Sequence, residues 1–282
     1  MAEIKESKNR VEMNEEEYKK YSFDAMVYLD RICRKNNITY FLFYGTLIGA
    51  VRHNGFIPWD DDVDIIMPRK DYYKFIHCVT EDDSKYKVMS FHNIPDYYAP
   101  LAKLVDTSTL LIQNYGYKAE KGLGVYIDLF ILDGLPQGIE NAQRYQKEAI
   151  KLTRYWEITA KKVIHSRKTI FKDILRFFYY LPSHMAGARH YLNAIDIFAS
   201  KYPYDNSEWV GNLSYTTQLG NIFHKEDLVP MDCEFEGYLF QIPTGYDRIL
   251  TALYGDWRKL PPIEQQVSHH DYNCFKLKSD FC

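Results

Sequence analysis

Residues 59–69 read WDDDVDIIMPR, and this run restricts the possible folds more than any other stretch of the chain. Asp60, Asp61, Asp62 and Asp64 crowd together and pass directly into the apolar Ile65, Ile66 and Met67. Crowded carboxylates repel one another and resist burial, so a segment carrying them normally drifts into solvent. The apolar continuation demands the opposite, a strand that draws the acids inward. Side chains alternate along a strand, so Asp60, Asp62 and Asp64 are expected on one face, with Asp62 and Asp64 inside the strand itself. Carboxylates at that spacing suit a hard divalent cation, Mg²⁺ or Mn²⁺, held through oxygen. The cation is the expected compensation.

Two plainer explanations compete. Asp60, Asp62 and Asp64 match the first, third and fifth positions of a calcium loop, but the sixth position needs Gly and holds Ile65, and the twelfth holds Asp71 instead of Glu. A solvated acidic turn accounts for Asp60 and Asp61 but leaves the Ile-Ile-Met continuation unexplained.

The surroundings read as an α+β unit. Asn14 followed by Glu17 forms a helix start, with a helix expected to about Asn36. Ile38 to Phe43 reads as a buried strand stopped by Gly45, and Leu47 to Arg52 as a short helix. Asp60 to Met67 is the acidic strand, Asp71 to Val79 a helix, and Leu101 to Val105 and Val125 to Leu132 further strands. The last of these carries Asp128, a lone acid among strand-forming apolar residues, which a central strand disfavours unless it is paired or binds metal. A Gly45-Thr46 turn, an Asp-x-Asp strand and a third acid on a neighbouring strand resemble the nucleotidyltransferase-fold pattern. Gly45 would admit a phosphate closely, with a helix N-terminus near Leu47 behind it.

From about Glu140 to Tyr202 the pattern turns helical, with breaks near Pro182 and Gly187. Phe235 to Ile242 reads as a strand, and Tyr246 to Tyr254 as a helix ended by Gly255. The division follows: a nucleotidyltransferase-like core over residues 1–136, a helical insertion over 137–205, and a mixed segment over 206–282 that completes the core.

Composition excludes several classes. A net charge of -3 without a basic stripe argues against nucleic-acid partners. Five scattered cysteines with no CxxC pair signal neither a disulfide framework nor a zinc site. The sequence MAEIKESKNR has no apolar leader, and no run is long enough to span a bilayer. A reducing, cytoplasmic location is expected.

The block GTLIGAVRHNGFIPWDDDVDIIMPR closely resembles the signature of the LicD family of phosphotransferases, relatives of fukutin-type enzymes that attach phosphocholine or similar phospho-alcohols to glycans. VYIDLFILDG and the tail from Phe235 through the His269-His270 pair are similar to that family as well, so the resemblance spans roughly residues 30 to 136 and 233 to 270. It implies transfer of a phospho-alcohol, phosphocholine first among them, from a CDP-linked donor such as CDP-choline to a hydroxyl of a cell-envelope glycan such as lipopolysaccharide or teichoic acid, with CMP leaving. Asp62 and Asp64 would hold Mg²⁺ or Mn²⁺, with Asp60 a further ligand. Asp128 would share a cation or take the acceptor proton, and Gly45 and Thr46 would cradle the donor phosphates. A same-fold alternative delivers a nucleoside monophosphate to an alcohol, and a non-enzymatic alternative is a glycan-binding module.

Weaker signals surround these. Arg52 is a candidate phosphate fork or an exposed ion pair, and Lys103 a candidate donor contact from its strand. His53 reads as a loop residue and Trp59 as packing for the acidic loop. His269-His270 lacks the partners of a zinc site. Residues 161 to 181 interleave basic and apolar side chains, the composition of a helix packed on the core or of one resting on an anionic membrane. The second option gives an expected peripheral contact at the inner membrane face, where a lipid-linked acceptor would lie.

Overall fold

Asn14 closes a reciprocal cap: its side chain accepts from the Glu17 N–H at 2.8 Å, and the Glu17 carboxylate accepts from the Asn14 N–H at 3.3 Å. The computed structural model describes residues 10–113, 123–160, 186–267 and 272–278, with strand β1 (Arg10–Glu12) before this cap and helix α1 (Glu15–Lys35) after it. There follow β2 (Phe41–Leu42), α2 (Tyr44–Ile48) continuing as a π-helical turn over Gly49–His53, β3 (Asp64–Pro68) and α3 (Arg69–Glu81). Next come β4 (Tyr86–Met89), β5 (Ala102–Asp106), β6 (Thr109–Gln113) and β7 (Tyr126–Gly134). Helices α4 (Ile139–Ala160) and α5 (Ala188–Ala199) precede β8 (Trp209–Gly211), β9 (Ile222–His224), β10 (Pro230–Phe235), β11 (Tyr238–Pro243), α6 (Tyr246–Tyr254) and β12 (Tyr272–Leu277).

The fold is α+β around a mixed sheet ordered β2-β3-β7-β5-β4, in which β8 pairs with the end of β7 and β9 extends β8. Only the β3–β7 pair is parallel within that sheet. Every residue of β3 is buried, which explains why its sequence runs DIIMP without alternation. Ala25, Met26 and Leu29 of α1 and Phe75 and Val79 of α3 are fully buried in the same core as Ile65, Ile66 and Met67. A smaller sheet, β1-β12-β6, packs its own cluster around Tyr18, Leu111 and Cys274. Among the described residues no helix is long and apolar enough to cross a membrane.

Four sequence expectations change. The acidic strand begins at Asp64, so Asp60, Asp61 and Asp62 lie in the preceding loop and the strand alternation does not apply to them. Their mutual repulsion is eased by leaving the ladder. The short helix starts at Tyr44, not Leu47, so Gly45 and Thr46 lie in its first turn. Ladder pairing of the ITYFLF stretch is confined to Phe41 and Leu42. The expected strand over 235–242 is a hairpin, because Glu236 and Gly237 take φ of 51° and 75°, the two left-handed positions of a tight turn with the twist that antiparallel strands favour. The helical middle is observed as α4 and α5, with Gly187 at φ 80° before α5. The amphipathic stretch 161–181, the break at Pro182 and His269-His270 lie outside the described residues.

Candidate active site

Strand register builds the site. In the parallel β3–β7 pair Asp64 stands opposite Asp128, and in the antiparallel β5–β7 pair Lys103 stands opposite Asp128. Residues directly opposite share a face, so three adjacent strands present Asp64, Asp128 and Lys103 in one row. Asp128 is further fixed by its N–H, which donates to the Val63 carbonyl at 2.9 Å. Lys103 Nζ donates to Asp128 Oδ1 at 2.6 Å and lies 3.5 Å from the centroid of the Tyr126 ring.

The turn before the acidic loop clamps Asp64 from the other side. The Asp64 N–H donates to Thr46 Oγ1 at 2.9 Å, and the Phe43 N–H donates to the Asp64 carbonyl at 2.9 Å. Thr46 is buried, so its hydroxyl works as a strut for the strand end while keeping one proton to donate. At Gly45 a Cβ would stand 2.6 Å from Asp60 Oδ2, so only glycine lets that carboxylate approach the turn. Tyr44 holds φ 46°, a strained value for a bulky residue, and its ring is wedged edge-on against Phe43 and Phe130, each at 5.0 Å.

The electrostatics are lopsided. Asp64 is 8% exposed, and burial, followed by the charges of Asp62, Asp128 and Asp60, holds its carboxyl well above the usual carboxylate range, with Lys103 opposing. Asp62, Asp128 and Asp60 are thus near enough to Asp64 for their charges to act on it. Four tyrosines that sequence reasoning did not single out border them. Burial pushes the Tyr126 phenol up to about 12, Lys103 opposes, and Asp128 and Asp62 add to the rise. Burial raises Tyr254 and Tyr44 as well; Asp64 adds to both, while Asn212 opposes at Tyr44. Tyr272 donates its hydroxyl to Asp61 Oδ2 at 3.0 Å. Tyr126 was within reach of sequence, two residues before Asp128 on the same strand face; Tyr254 and Tyr272 arrive from distant elements and were not.

Arg52 is held by partners outside the carboxylate row. Its Nε donates to His53 Nε2 at 2.9 Å and its Nη1 to the Trp257 carbonyl at 2.6 Å, so it ties the π-helical turn to the segment after α6. Trp59 packs edge-on to His53 at 6.2 Å.

The donor set is one of hard carboxylate oxygens with excess negative charge at a buried point, which fits a divalent cation by chemistry. The convergence is incomplete: among the described residues no three His, Cys, Asp or Glu groups stand together as a ready metal cage.

Residues 37–130 match the family described as LicD/FKTN/FKRP, nucleotidyltransferase domain, a stretch that contains every residue of the row and the turn that clamps Asp64. Across 264 residues the chain is 31% identical to the lipopolysaccharide cholinephosphotransferase LicD of Haemophilus influenzae, spanning 89% of this chain and 93% of that protein. The chain belongs to the LicD family. Shorter stretches resemble uncharacterized proteins of Rickettsia prowazekii, 40% identical over 70 residues, and Rickettsia typhi, 56% identical over 41 residues. These cover 22% and 14% of the LicD-family chain, and 26% and 13% of the two Rickettsia proteins, and add nothing about chemistry.

Proposed function

We propose that this LicD-family enzyme transfers phosphocholine from CDP-choline to a hydroxyl of lipopolysaccharide or a related cell-envelope glycan, releasing CMP and depending on Mg²⁺ or Mn²⁺. The observation that carries the proposal is the strand register that sets buried Asp64 directly opposite Asp128, with Asp62 two residues before Asp64 in the loop that leads into the strand, a placing of like charges that a folded protein keeps only for a use. The near full-length likeness to a lipopolysaccharide cholinephosphotransferase supports the substrate class.

Phosphoryl transfer needs positioning and neutralisation more than covalent participation by the protein. Asp62 and Asp64 would hold the divalent cation with Asp60 as a further ligand, and the cation would supply positive charge to the phosphoryl oxygens. Gly45 lets the Asp60 carboxylate reach the turn where the donor phosphates would be cradled, and Thr46 braces the start of the strand that carries Asp64. The acceptor hydroxyl oxygen forms a bond to the choline-bearing phosphorus, the phosphoanhydride P–O bond breaks, and CMP departs with the electron pair. The hydroxyl proton passes to Asp128. A lipid-linked acceptor at the cytoplasmic membrane face suits such an enzyme.

The test is incubation with Mg²⁺ and a panel of CDP-choline, CDP-ethanolamine, CDP-glycerol and CDP-ribitol, with and without lipopolysaccharide, followed by mass spectrometry. CMP released with CDP-choline and phosphocholine gained by the glycan are the expected result. Transfer of CMP itself to the acceptor would overturn the proposal in favour of nucleotidyl transfer, and CMP release only from another donor would correct the alcohol.

A further inference from the structure

Lys103 raises a question that the cation reading leaves open. A site meant to share a divalent cation between Asp64 and Asp128 should leave both carboxylates turned to it, yet the neighbouring strand delivers an ammonium to Asp128 at 2.6 Å. The register is fixed by ladder pairing on both sides, Asp64 with Asp128 and Asp128 with Lys103, so this is no chance meeting of surface side chains. Lys103 is 8% exposed, and its Nζ is held over the Tyr126 ring at 3.5 Å, where the negative face of the ring adds to the carboxylate in retaining the cation. A lysine so enclosed costs free energy to desolvate unless its charge is matched, and Asp128 provides the match. The absence of a ready three-ligand cage among the described residues fits the same picture.

We infer that Lys103 is a built-in counter-cation that keeps Asp128 out of the metal shell, so that the enzyme binds a single divalent cation at Asp62 and Asp64 and leaves Asp128 to the acceptor hydroxyl. This rests on the metal-dependent reading above and narrows it. Lys103 is then a positioning residue: it orients Asp128 through their 2.6 Å contact, and it does not contact the donor phosphates.

The stoichiometry of Mn²⁺ on the full chain decides it, read by titration calorimetry and by the electron paramagnetic resonance of free Mn²⁺. Wild type should bind one Mn²⁺ per chain. Lys103→Met keeps the apolar stem over Tyr126 but removes the charge, and should bind a second Mn²⁺ or bind the first at least tenfold more tightly. Lys103→Arg keeps the charge and should stay at one, and thermal melting of each variant establishes that it is folded. Two Mn²⁺ on wild type overturns the inference while the metal-dependent reading stands, and this measurement needs no variant. Unchanged stoichiometry and affinity in folded Lys103→Met also overturns it. No Mn²⁺ binding at all sinks both the inference and the metal reading.

Discussion

Strands β3 and β7 run in parallel and meet two opposite charge environments at their two ends. At the N-terminal end Asp64 faces Asp128, with Asp60 and Asp62 close by and Lys103 the ammonium in the row. One step past the other end, Arg69 meets Asp133 through Nε at 2.5 Å and Nη2 at 2.9 Å. Asp196 of α5 takes Arg69 Nη1 at 2.5 Å, and His92 Nε2 lies 3.2 Å from Asp196. Both ends bury carboxylates. Burial raises the Asp133 carboxyl, but the Arg69 hydrogen bond and charge pull against it, and Asp196 is held low by His92 and Arg69 despite its own burial. No such balance is reached at Asp64. Matched charge on one strand pair marks a joint between the sheet and the helical segment, and mismatched charge a few residues away marks a place prepared for an added cation.

The sharpest way to break this comparison is to remove charge at the mismatched end. Asp64→Asn should lower transfer by more than the ~10–100-fold typical of losing a group one shell out from a metal, while the cation-free protein melts at the same or a higher temperature. Near-wild-type transfer in saturating Mg²⁺ would remove Asp64 from the cation site. Asp128→Ala should abolish transfer yet leave CDP-choline binding measurable by calorimetry, as a group serving the acceptor would. If donor binding vanished too, Asp128 would belong with Asp62 and Asp64.

At the matched end the expected loss is of stability. Arg69 is largely enclosed, its side chain 14% exposed, so Arg69→Met leaves Asp133 buried without its partner and should cost about 3–5 kcal/mol in urea unfolding. Mn²⁺ affinity of the folded variant should be unaltered; a large change there would mean that the two ends are coupled through the strands.

The smallest effect is on pH dependence without metal. Asp64 in the fold is raised above the ordinary Asp value of 3.8, so the fold favours its protonated form. The stability this contributes is complete below the unfolded value and is lost as pH climbs through the raised folded value. Melting in a chelator should therefore fall as pH rises above 3.8, and Asp64→Asn should flatten the fall. Excess Mg²⁺ should reverse it, since cation binding grows as the carboxyls ionise. A melting temperature independent of pH in the chelator would contradict the raised carboxyl.

Much of the site was legible in residue types. The capping box at Asn14 and Glu17 is a local signal and appears as read. Asp64 and Asp128 were recognisable as acids misplaced in apolar strands, because burial of an unmatched carboxylate conflicts with strand composition whatever the neighbours are. Register was not legible, since it depends on which strands meet, and so neither the facing of Asp64 and Asp128 nor the seat of Lys103 could be foreseen. The loop conformation of Asp60 to Asp62 was hidden because alternation looks the same until the ladder stops. Glu236-Gly237 was a visible turn signal inside what seemed one strand, and the left-handed backbone there is what separates β10 from β11. The Arg69 joint draws its partners from β7 and α5, far along the chain, and no local pattern announces it.

The order of the strands in the chain gives the row a history. Strand β7 lies in space between β3 and β5 but follows both in sequence. Pairing β4 with β5 closes a short loop, whereas closing β3 onto β7 spans a long one, and loop length favours the first as the earlier event in folding. In that order Lys103 takes its place on the β4–β5 pair before Asp128 is brought up to Asp64. The strand that brings the second carboxylate toward Asp64 then docks beside an ammonium that offsets its charge.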